Sequence, residues 1–293
     1  MKFTREFRAE GPEKNVREHQ LVSGDRFMAS AHHIILSATL LMLTDACYRR
    51  PNESYWLEIP GHAEHSEVQA AARGLIAIGT NSRLFKYPGG YPLPWVDLGA
   101  TDIAAVSASK NYFYLLTKTG VLYKSKTGID RIIVPFTVRG NFVAFTNNEE
   151  DSIVTAHENT VLRYSKDGES SIAKVTCPFL IISLGVNEQG PWALSSEGML
   201  YRITEDSCIA VSSPRPAKQV SAYAKKVALV DKDGRGWLKD FRFDEPWHIL
   251  PAPITYPIAR GPETQPLVQI SLTEWTTWGL DAKGHVFLLQ GVP

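Results

Sequence analysis

The sequence predicts an all-β protein built from repeated units of short strands. Short apolar runs alternate with turns that contain glycine, and the pattern recurs at a nearly constant interval along the 293 residues. Residues 180–203 show the unit most clearly, since apolar runs at 180–184, 192–195 and 199–203 are separated by turns at 185–190 and 196–198. Apolar runs divided by glycine turns are typical of β-hairpins, and Gly198 suits a turn position with positive φ.

Seven such units follow one another. The turn residues before the third run of each unit are spaced by 37, 38, 40, 38, 36 and 50 positions, and they are Asp45, Ser82, Gly120, Thr160, Gly198, Gly234 and Gly284. A fourth apolar run ends most units, at 55–59, 94–98, 131–135, 171–175, 208–211 and 247–250. Four strands at this period are typical of a β-propeller, in which neighbouring blades bury faces that one blade alone leaves exposed.

The repeat therefore predicts a seven-bladed β-propeller of four-stranded blades over residues 19–293, preceded by a charged arm at residues 1–18. The seventh unit ends at Pro293 directly after its third strand. We expect the segment from His19 to Val22 to pair with this last blade and close the ring. The long final interval reflects an insertion in the last blade, residues 251–266, which is rich in proline.

Composition narrows the possible functions. The 31 basic and 31 acidic side chains cancel, which argues against a protein that coats nucleic acid. Cys47, Cys177 and Cys208 lie far apart, match no zinc motif and form no obvious disulfide framework, so we expect a reducing compartment. The charged N-terminus does not resemble a secretory signal, and the most apolar run, 34–43, is too short to cross a bilayer. A cytoplasmic or virion-associated location is the expectation.

The segment 192–202 resembles the tectonin repeat, in which a tryptophan strand, a turn glycine and a strand with an aromatic residue and arginine follow one another. Residues 269–287 are similar. The pattern is also similar to RCC1-like propeller repeats, although the final Trp-Gly and the longer period of that repeat are absent. The likeness covers most of the chain from Phe27 onward. It implies a propeller and leaves open a lectin, an adaptor in a large assembly or an exchange-factor-like protein.

Motifs for catalysis or for metal binding are not evident. The sequence has no nucleotide-binding glycine motif, no His-Glu zinc motif and no nucleophile elbow, so we expect neither an enzyme nor a cofactor. His62 and His65 with Glu67 could hold a divalent ion, but a solvated loop is the simpler interpretation. Residues 231–240 resemble a calcium-binding turn, but Arg235 stands where an acidic ligand is expected, which favours an ordinary β-turn. No metal site is predicted.

Aromatic residues supply the candidate contact sites. Trp192 and Trp278 lie at equivalent inner-strand positions, and this regularity favours packing between blades. Trp275 lies in a turn without a counterpart in the other units, so we predict that it contacts a partner. The insertion adds Tyr256, Arg260 and Glu263 as further candidates, with a passive surface loop as the alternative.

These observations predict a non-enzymatic interaction propeller, a structural or adaptor subunit of a larger assembly. A virion- or tail-associated subunit fits this design. The partner is expected to be a protein, with a glycan as a further possibility and with neither nucleic acid nor membrane insertion. The alternative is a tectonin-like lectin, whose repeated pockets would expose equivalent aromatic residues in several blades. An enzyme would instead need clustered carboxylates or histidines at the mouth of the central channel.

Overall fold

The structure of the chain, a computed structural model, describes residues 53–61, 65–71, 74–88, 94–108, 112–126, 130, 132–133, 144–147, 153–164, 171–255 and 261–291. Strands and turns account for these residues, and they contain no helix with the length and apolar character needed to cross a lipid bilayer. The strands form six sheets of four strands each and one small hairpin.

Among the described residues, strand β1 (Tyr55–Ile59) comes first, and five complete sheets follow it in chain order. Blade 1 contains β2 (His65–Ala71), β3 (Gly74–Gly79), β4 (Leu84–Tyr87) and β5 (Val96–Asp97). Blade 2 contains β6 (Ile103–Ala108), β7 (Phe113–Thr117), β8 (Leu122–Ser125) and β9 (Ile132–Ile133). Blade 3 contains β10 (Ala144–Asn147), β11 (Ile153–His157), β12 (Thr160–Tyr164) and β13 (Ser171–Thr176).

Blade 4 contains β14 (Ile181–Asn187), β15 (Gly190–Ser195), β16 (Leu200–Ile203) and β17 (Cys208–Val211). Blade 5 contains β18 (Ala217–Tyr223), β19 (Lys226–Asp231), β20 (Gly236–Asp240) and β21 (His248–Ile249). The hairpin of β22 (Ile254–Thr255) and β23 (Glu263–Thr264) leads to blade 6, which contains β24 (Leu267–Leu272), β25 (Thr277–Asp281), β26 (Val286–Gln290) and β1.

The blades form a closed ring. The first strand of each blade contacts the first strand of the next, and β24 of blade 6 contacts β2 of blade 1. Clusters of buried apolar side chains lie between consecutive blades, as between blades 4 and 5, where Trp192 and Leu200 pack against Val220 and Leu229. The fold is therefore a β-propeller whose core is divided among the junctions between blades.

The described residues contain six blades, so the prediction of seven is wrong. Strand β1, which the repeat spacing placed at the outer edge of a first unit, pairs instead with β26, from Tyr55 opposite Gln290 to Ile59 opposite Val286. It occupies the fourth-strand position that the sequence analysis gave to His19 and Val22, so the predicted closure by that segment is also wrong. The arm at residues 1–18, residues 19–22 and the predicted first unit around 40–48 lie outside the described residues.

Polar side chains near the ring axis connect the blades. In five of the six first strands, the pairing register shifts after the first residue. At four junctions, the side chain of the third residue of the first strand accepts a hydrogen bond from a backbone N–H of the next blade. The pairs are Glu67 with Val106, Ser183 with Val220, Gln219 with Ile270, and Gln269 with Val68. Gln219 also donates through Nε2 to the carbonyl of Ile270, at 3.0 Å.

Loss of the Gln219 amide is expected to destabilise the ring. Gln219→Leu keeps the size of the side chain but leaves the N–H and C=O of Ile270 without these partners, which we expect to cost about 2–4 kcal/mol. Urea unfolding followed by circular dichroism measures the change. Lys225→Leu, at an exposed position of the same blade, is the control; equal stability of the two variants would contradict the role given to Gln219.

A disulfide bond joins blades 3 and 4, contrary to the expectation from cysteine spacing. Cys177 follows β13, Cys208 begins β17, and their Cα atoms are 5.7 Å apart. The two residues are separated by 31 positions, close to one repeat, so consecutive blades bring them together at one junction. The predicted reducing compartment loses its basis, because such bonds persist in oxidising environments.

Reduction of this bond is expected to lower the free energy of unfolding by roughly 2–4 kcal/mol, because the crosslink restricts the unfolded chain. Chemical denaturation with and without a reductant measures the difference. A Cys177→Ala, Cys208→Ala double variant should be insensitive to reductant, whereas Cys47→Ser should respond as the natural chain does. The expectation fails if reductant leaves the midpoint of the natural chain unchanged.

Candidate binding face and inter-blade groove

Strand direction divides the turns of the propeller between two faces. Strands alternate in direction within each blade, so the turns after the first and third strands lie on one face and the turn after the second strand lies on the other. We call the first of these the turn face. In blades 4, 5 and 6 it carries residues 188–189, 204–207, 224–225, 241–247 and 273–276.

Trp275, the contact residue predicted from the sequence, lies on the turn face of blade 6. Its exposed fraction is 84 %, although the turn that carries it is fixed. The Thr273 Oγ1 atom accepts hydrogen bonds from the backbone N–H groups of Trp275, at 3.3 Å, and Thr276, at 2.9 Å. The indole Nε1 of Trp278 donates to Thr276 Oγ1 at 2.9 Å. The indole of Trp275 is thus an exposed apolar group on an ordered turn.

Of the other predicted contact residues, the structure describes Glu263, which does not join Trp275. Glu263 lies in β23, and its carboxylate is 3.7 Å from Lys283 Nζ, in the turn between β25 and β26 on the opposite face. Tyr256 and Arg260 lie outside the described residues. The insertion is described only at its two ends, where its strands pair and Gln265 Nε2 donates to Thr255 Oγ1 at 2.9 Å.

The remaining six tryptophans contribute to packing. Trp192, at 1 % exposure, Trp56 and Trp278 are buried, and Trp95, Trp237 and Trp247 are half-buried. Five of the six donate their indole N–H within the chain, as Trp192 does to Asn187 Oδ1 at 2.9 Å. The equivalent Trp192 and Trp278 therefore pack between blades, as their regular positions predicted.

A groove of about 580 Å³ lies between blades 3 and 4 and reaches the turn face. Sequence analysis missed it, because residues from two blades form it. Its apolar lining comes from both blades, with Val161 and Val175 on one side and Val186 and Pro191 on the other. Arg163 lines the blade 3 side, and Arg202, Glu188 and Glu205 line the blade 4 side. An apolar floor with a few charged groups is the usual composition of a ligand site.

Internal contacts fix the walls of this groove. The buried Asn187 accepts hydrogen bonds through Oδ1 from the backbone N–H of Gln189 and from the Trp192 indole, both at 2.9 Å. The rings of Phe179 and Tyr201 stack at the same junction with their centres 3.9 Å apart. Together with the disulfide, these contacts give the groove its shape without a ligand.

The calcium-like turn of blade 5 is a structural turn. Asp231 is buried, and its two oxygens accept hydrogen bonds from the backbone N–H of Arg235 and the indole of Trp237. Asp233 pairs with Arg215, and Asp240 pairs with Arg242, which lowers the pKa of Asp240. Each carboxylate therefore has a partner within the chain, and no group of metal-ligating side chains occurs in the described part.

Among the described residues, Asp281 and His285 form the shortest contact between a carboxylate and an imidazole. His285 Nδ1 lies 2.8 Å from Asp281 Oδ2, and the other oxygen of Asp281 accepts the backbone N–H groups of Lys283 and His285. Asp281 ends the second strand of blade 6 as Asp231 does in blade 5, where the same position also fixes a turn. The arrangement is therefore accounted for as a turn-stabilising contact.

Of the residues considered as a possible ligand set, His65 and Glu67 do not meet in the structure, and both lie in strand β2 and not in the solvated loop that the sequence favoured. His65 is buried against the rings of Trp95 and Phe85, and burial lowers its pKa to about 4. Glu67 instead faces blade 2, where it accepts the N–H of Val106 at 3.4 Å, and burial raises its pKa to about 7. His62 lies outside the described residues. Glu67 stands where blades 5 and 6 have the uncharged Gln219 and Gln269.

Glu67→Gln is expected to stabilise the protein more at pH 8 than at pH 5. Because the carboxyl keeps its proton up to about pH 7 when folded and loses it near pH 4.5 when unfolded, the natural chain loses stability as pH rises between these values. An amide has no such loss, so the gain at pH 8 is of order 2–3 kcal/mol. Thermal unfolding at both pH values gives the comparison; a gain that does not change with pH would contradict the assignment.

Comparison with known proteins supports the fold and no narrower family. No protein-family model and no curated protein sequence matches the chain. The solved structure described as YCF48 bound to D1 peptide aligns with a TM-score of 0.53 and 13 % identity, covering 84 % of this chain and 96 % of that one. YCF48 from Cyanidioschyzon merolae aligns with a TM-score of 0.48 and 12 % identity, covering 82 % of this chain and 88 % of that one.

PorZ of Porphyromonas gingivalis, described as an essential bacterial surface component of the type-IX secretion system, aligns with a TM-score of 0.50 and 12 % identity. The alignment covers 81 % of this chain, which spans 39 % of PorZ. At such identities the likeness establishes a β-propeller. The resemblance to tectonin and RCC1-like repeats finds no separate support in these structures.

Proposed function

We propose that this propeller is a non-enzymatic protein-interaction module that serves as a structural or adaptor subunit of a larger assembly. Trp275 carries the proposal. An indole that is 84 % exposed on a turn held by its own hydrogen bonds places a large apolar surface in water. Tryptophan is enriched among the residues that contribute most to protein interfaces, and a turn ordered in advance lowers the entropy cost of binding.

Two further observations agree with a protein partner. Phe243, also exposed, adds a second aromatic group to the turn face in blade 5. YCF48, a propeller of similar fold, is described in complex with a D1 peptide, so this architecture can accommodate a polypeptide ligand. The single exposed tryptophan favours one protein contact over the repeated pockets of a lectin.

The disulfide changes the proposed location of such an assembly. The cytoplasm keeps most thiols reduced, whereas secreted compartments and the surfaces of cells and virions allow disulfides to persist. The Cys177–Cys208 bond thus favours an oxidising compartment over the cytoplasm. A virion-associated subunit remains compatible with this bond.

Trp275→Ala is expected to reduce partner recovery at least about tenfold, as loss of a central interface tryptophan does. Immobilised protein is incubated with an extract of the source cells, and bound proteins are quantified by mass spectrometry. Leu180→Ala is the matched control, since Leu180 is an exposed apolar residue beside the β15–β16 turn on the opposite face.

Addition of free sugars separates the two function classes. Recovery that is insensitive to sugars and reduced only by Trp275→Ala agrees with the proposal. Elution of the bound proteins by one particular sugar would support a lectin, and equal recovery with both variants would remove Trp275 from the interface.

A further inference from the structure

We propose that the groove between blades 3 and 4 binds an extended peptide segment of a protein partner, which adds a strand to the free edge of β13 and directs an acidic side chain toward Arg163. This inference rests on the proposed function and specifies one site and its ligand. It is independent of Trp275, which lies on another blade.

The edge of blade 3 is open to an added strand. Strand β13 is hydrogen-bonded to β12 on one side, and among the described residues no strand pairs with its other side. Ala173 and Val175 of this strand line the groove, so an added strand would place alternate side chains over the apolar floor. Peptides commonly bind by this kind of strand addition, in which main-chain hydrogen bonds supply affinity and side-chain pockets supply specificity.

Arg163 supplies the charge that selects the ligand. It lies opposite Ala173 in the pairing of β12 with β13 and shares its face. In the described part of the chain, its guanidinium has no carboxylate partner. The added strand would lie two strand spacings, about 10 Å, from β12, a distance that an arginine and a glutamate side chain span together. Because Ala173 is small, it leaves space between the two groups.

The charges that line the groove favour a single carboxylate on an apolar peptide over a multiply charged anion. Glu188 and Glu205 also line the groove and balance the charges of Arg163 and Arg202, so the groove as a whole does not attract a phosphate or a nucleic acid backbone.

The groove is also rigid enough to select an extended ligand. The Cys177–Cys208 bond joins its two blades, and Asn187 fixes the turn that carries Gln189. A site that is formed before binding loses little conformational entropy when the ligand arrives.

An array of heptapeptides with acetylated and amidated ends tests the proposal. Position four is Glu, Asp, Gln or Asn, positions two and six are Val, Ile, Leu or Phe, and the remaining positions are Thr. Labelled full-length protein is applied, and the best peptides are titrated by fluorescence anisotropy. We expect acidic peptides to bind at least about tenfold more tightly than their amide counterparts, and N-methylation of the backbone at positions three and five to abolish binding.

Arg163→Gln is expected to lower the ratio of the affinities for acidic and amide peptides to about one, while the affinity for amide peptides stays unchanged. Lys174→Gln is the matched control, because it removes the same charge from an exposed residue of β13 that alternates with Ala173 and Val175. Ala173→Phe, which fills the groove without changing its charge, should abolish binding of both peptide types. Thermal unfolding checks that each variant folds.

Absence of binding throughout the array, or an acidic preference that survives Arg163→Gln, would overturn the groove assignment. If Lys174→Gln also removed the preference for acidic peptides, the preference would come from general surface charge and not from Arg163. None of these results would change the outcome of the Trp275 experiment, so failure of the groove and failure of the proposed function are distinguishable.

Discussion

The fold depends on hydrogen bonds that pass from the first strand of one blade to the backbone of the next. Apolar packing between blades is strong but non-directional, so by itself it does not fix how one sheet is placed against its neighbour. A glutamine such as Gln219, bonded to both the N–H and the C=O of Ile270, fixes that placement much as a strand pairing would. The recurring register shift in the first strands accompanies the side chains that make these bonds.

The repeat and its strand pattern could be predicted from local sequence, whereas the number of blades could not. Each strand shows its own pattern of apolar residues and turns, and the structure reproduces the units from blade 1 onward. The pattern of Tyr55–Ile59 does not indicate whether the strand ends one blade or completes another, because its partner, β26, lies near the opposite end of the described chain. The cysteine pair was missed for the same reason, since contact across a blade junction has no signature in residue spacing.

The candidate sites show the same difference between features that are visible in local sequence and features that depend on tertiary contacts. Trp275 was recognisable because it interrupts a repeat in which other tryptophans occupy equivalent positions, and the structure places it in water. The groove was not recognisable, because Arg163 and Val175 from one blade meet Val186 and Gln189 from another only after the ring has formed. Glu263 looked available in the sequence, yet it lies beside Lys283. Local irregularity thus indicated one exposed aromatic residue, whereas sites that depend on tertiary contacts required the structure.

The pairing of β1 with β26 has a consequence for synthesis. A ribosome releases Tyr55–Ile59 early and Val286–Gln290 late, so β1 emerges long before the strand that completes its sheet. Blades 1 to 5 draw their strands from continuous stretches of chain and can assemble in the order of translation. The sixth cannot, and throughout elongation β1 exposes the edge that β26 later covers. Until the last blade is translated, this edge is open to pairing with strand edges of other chains.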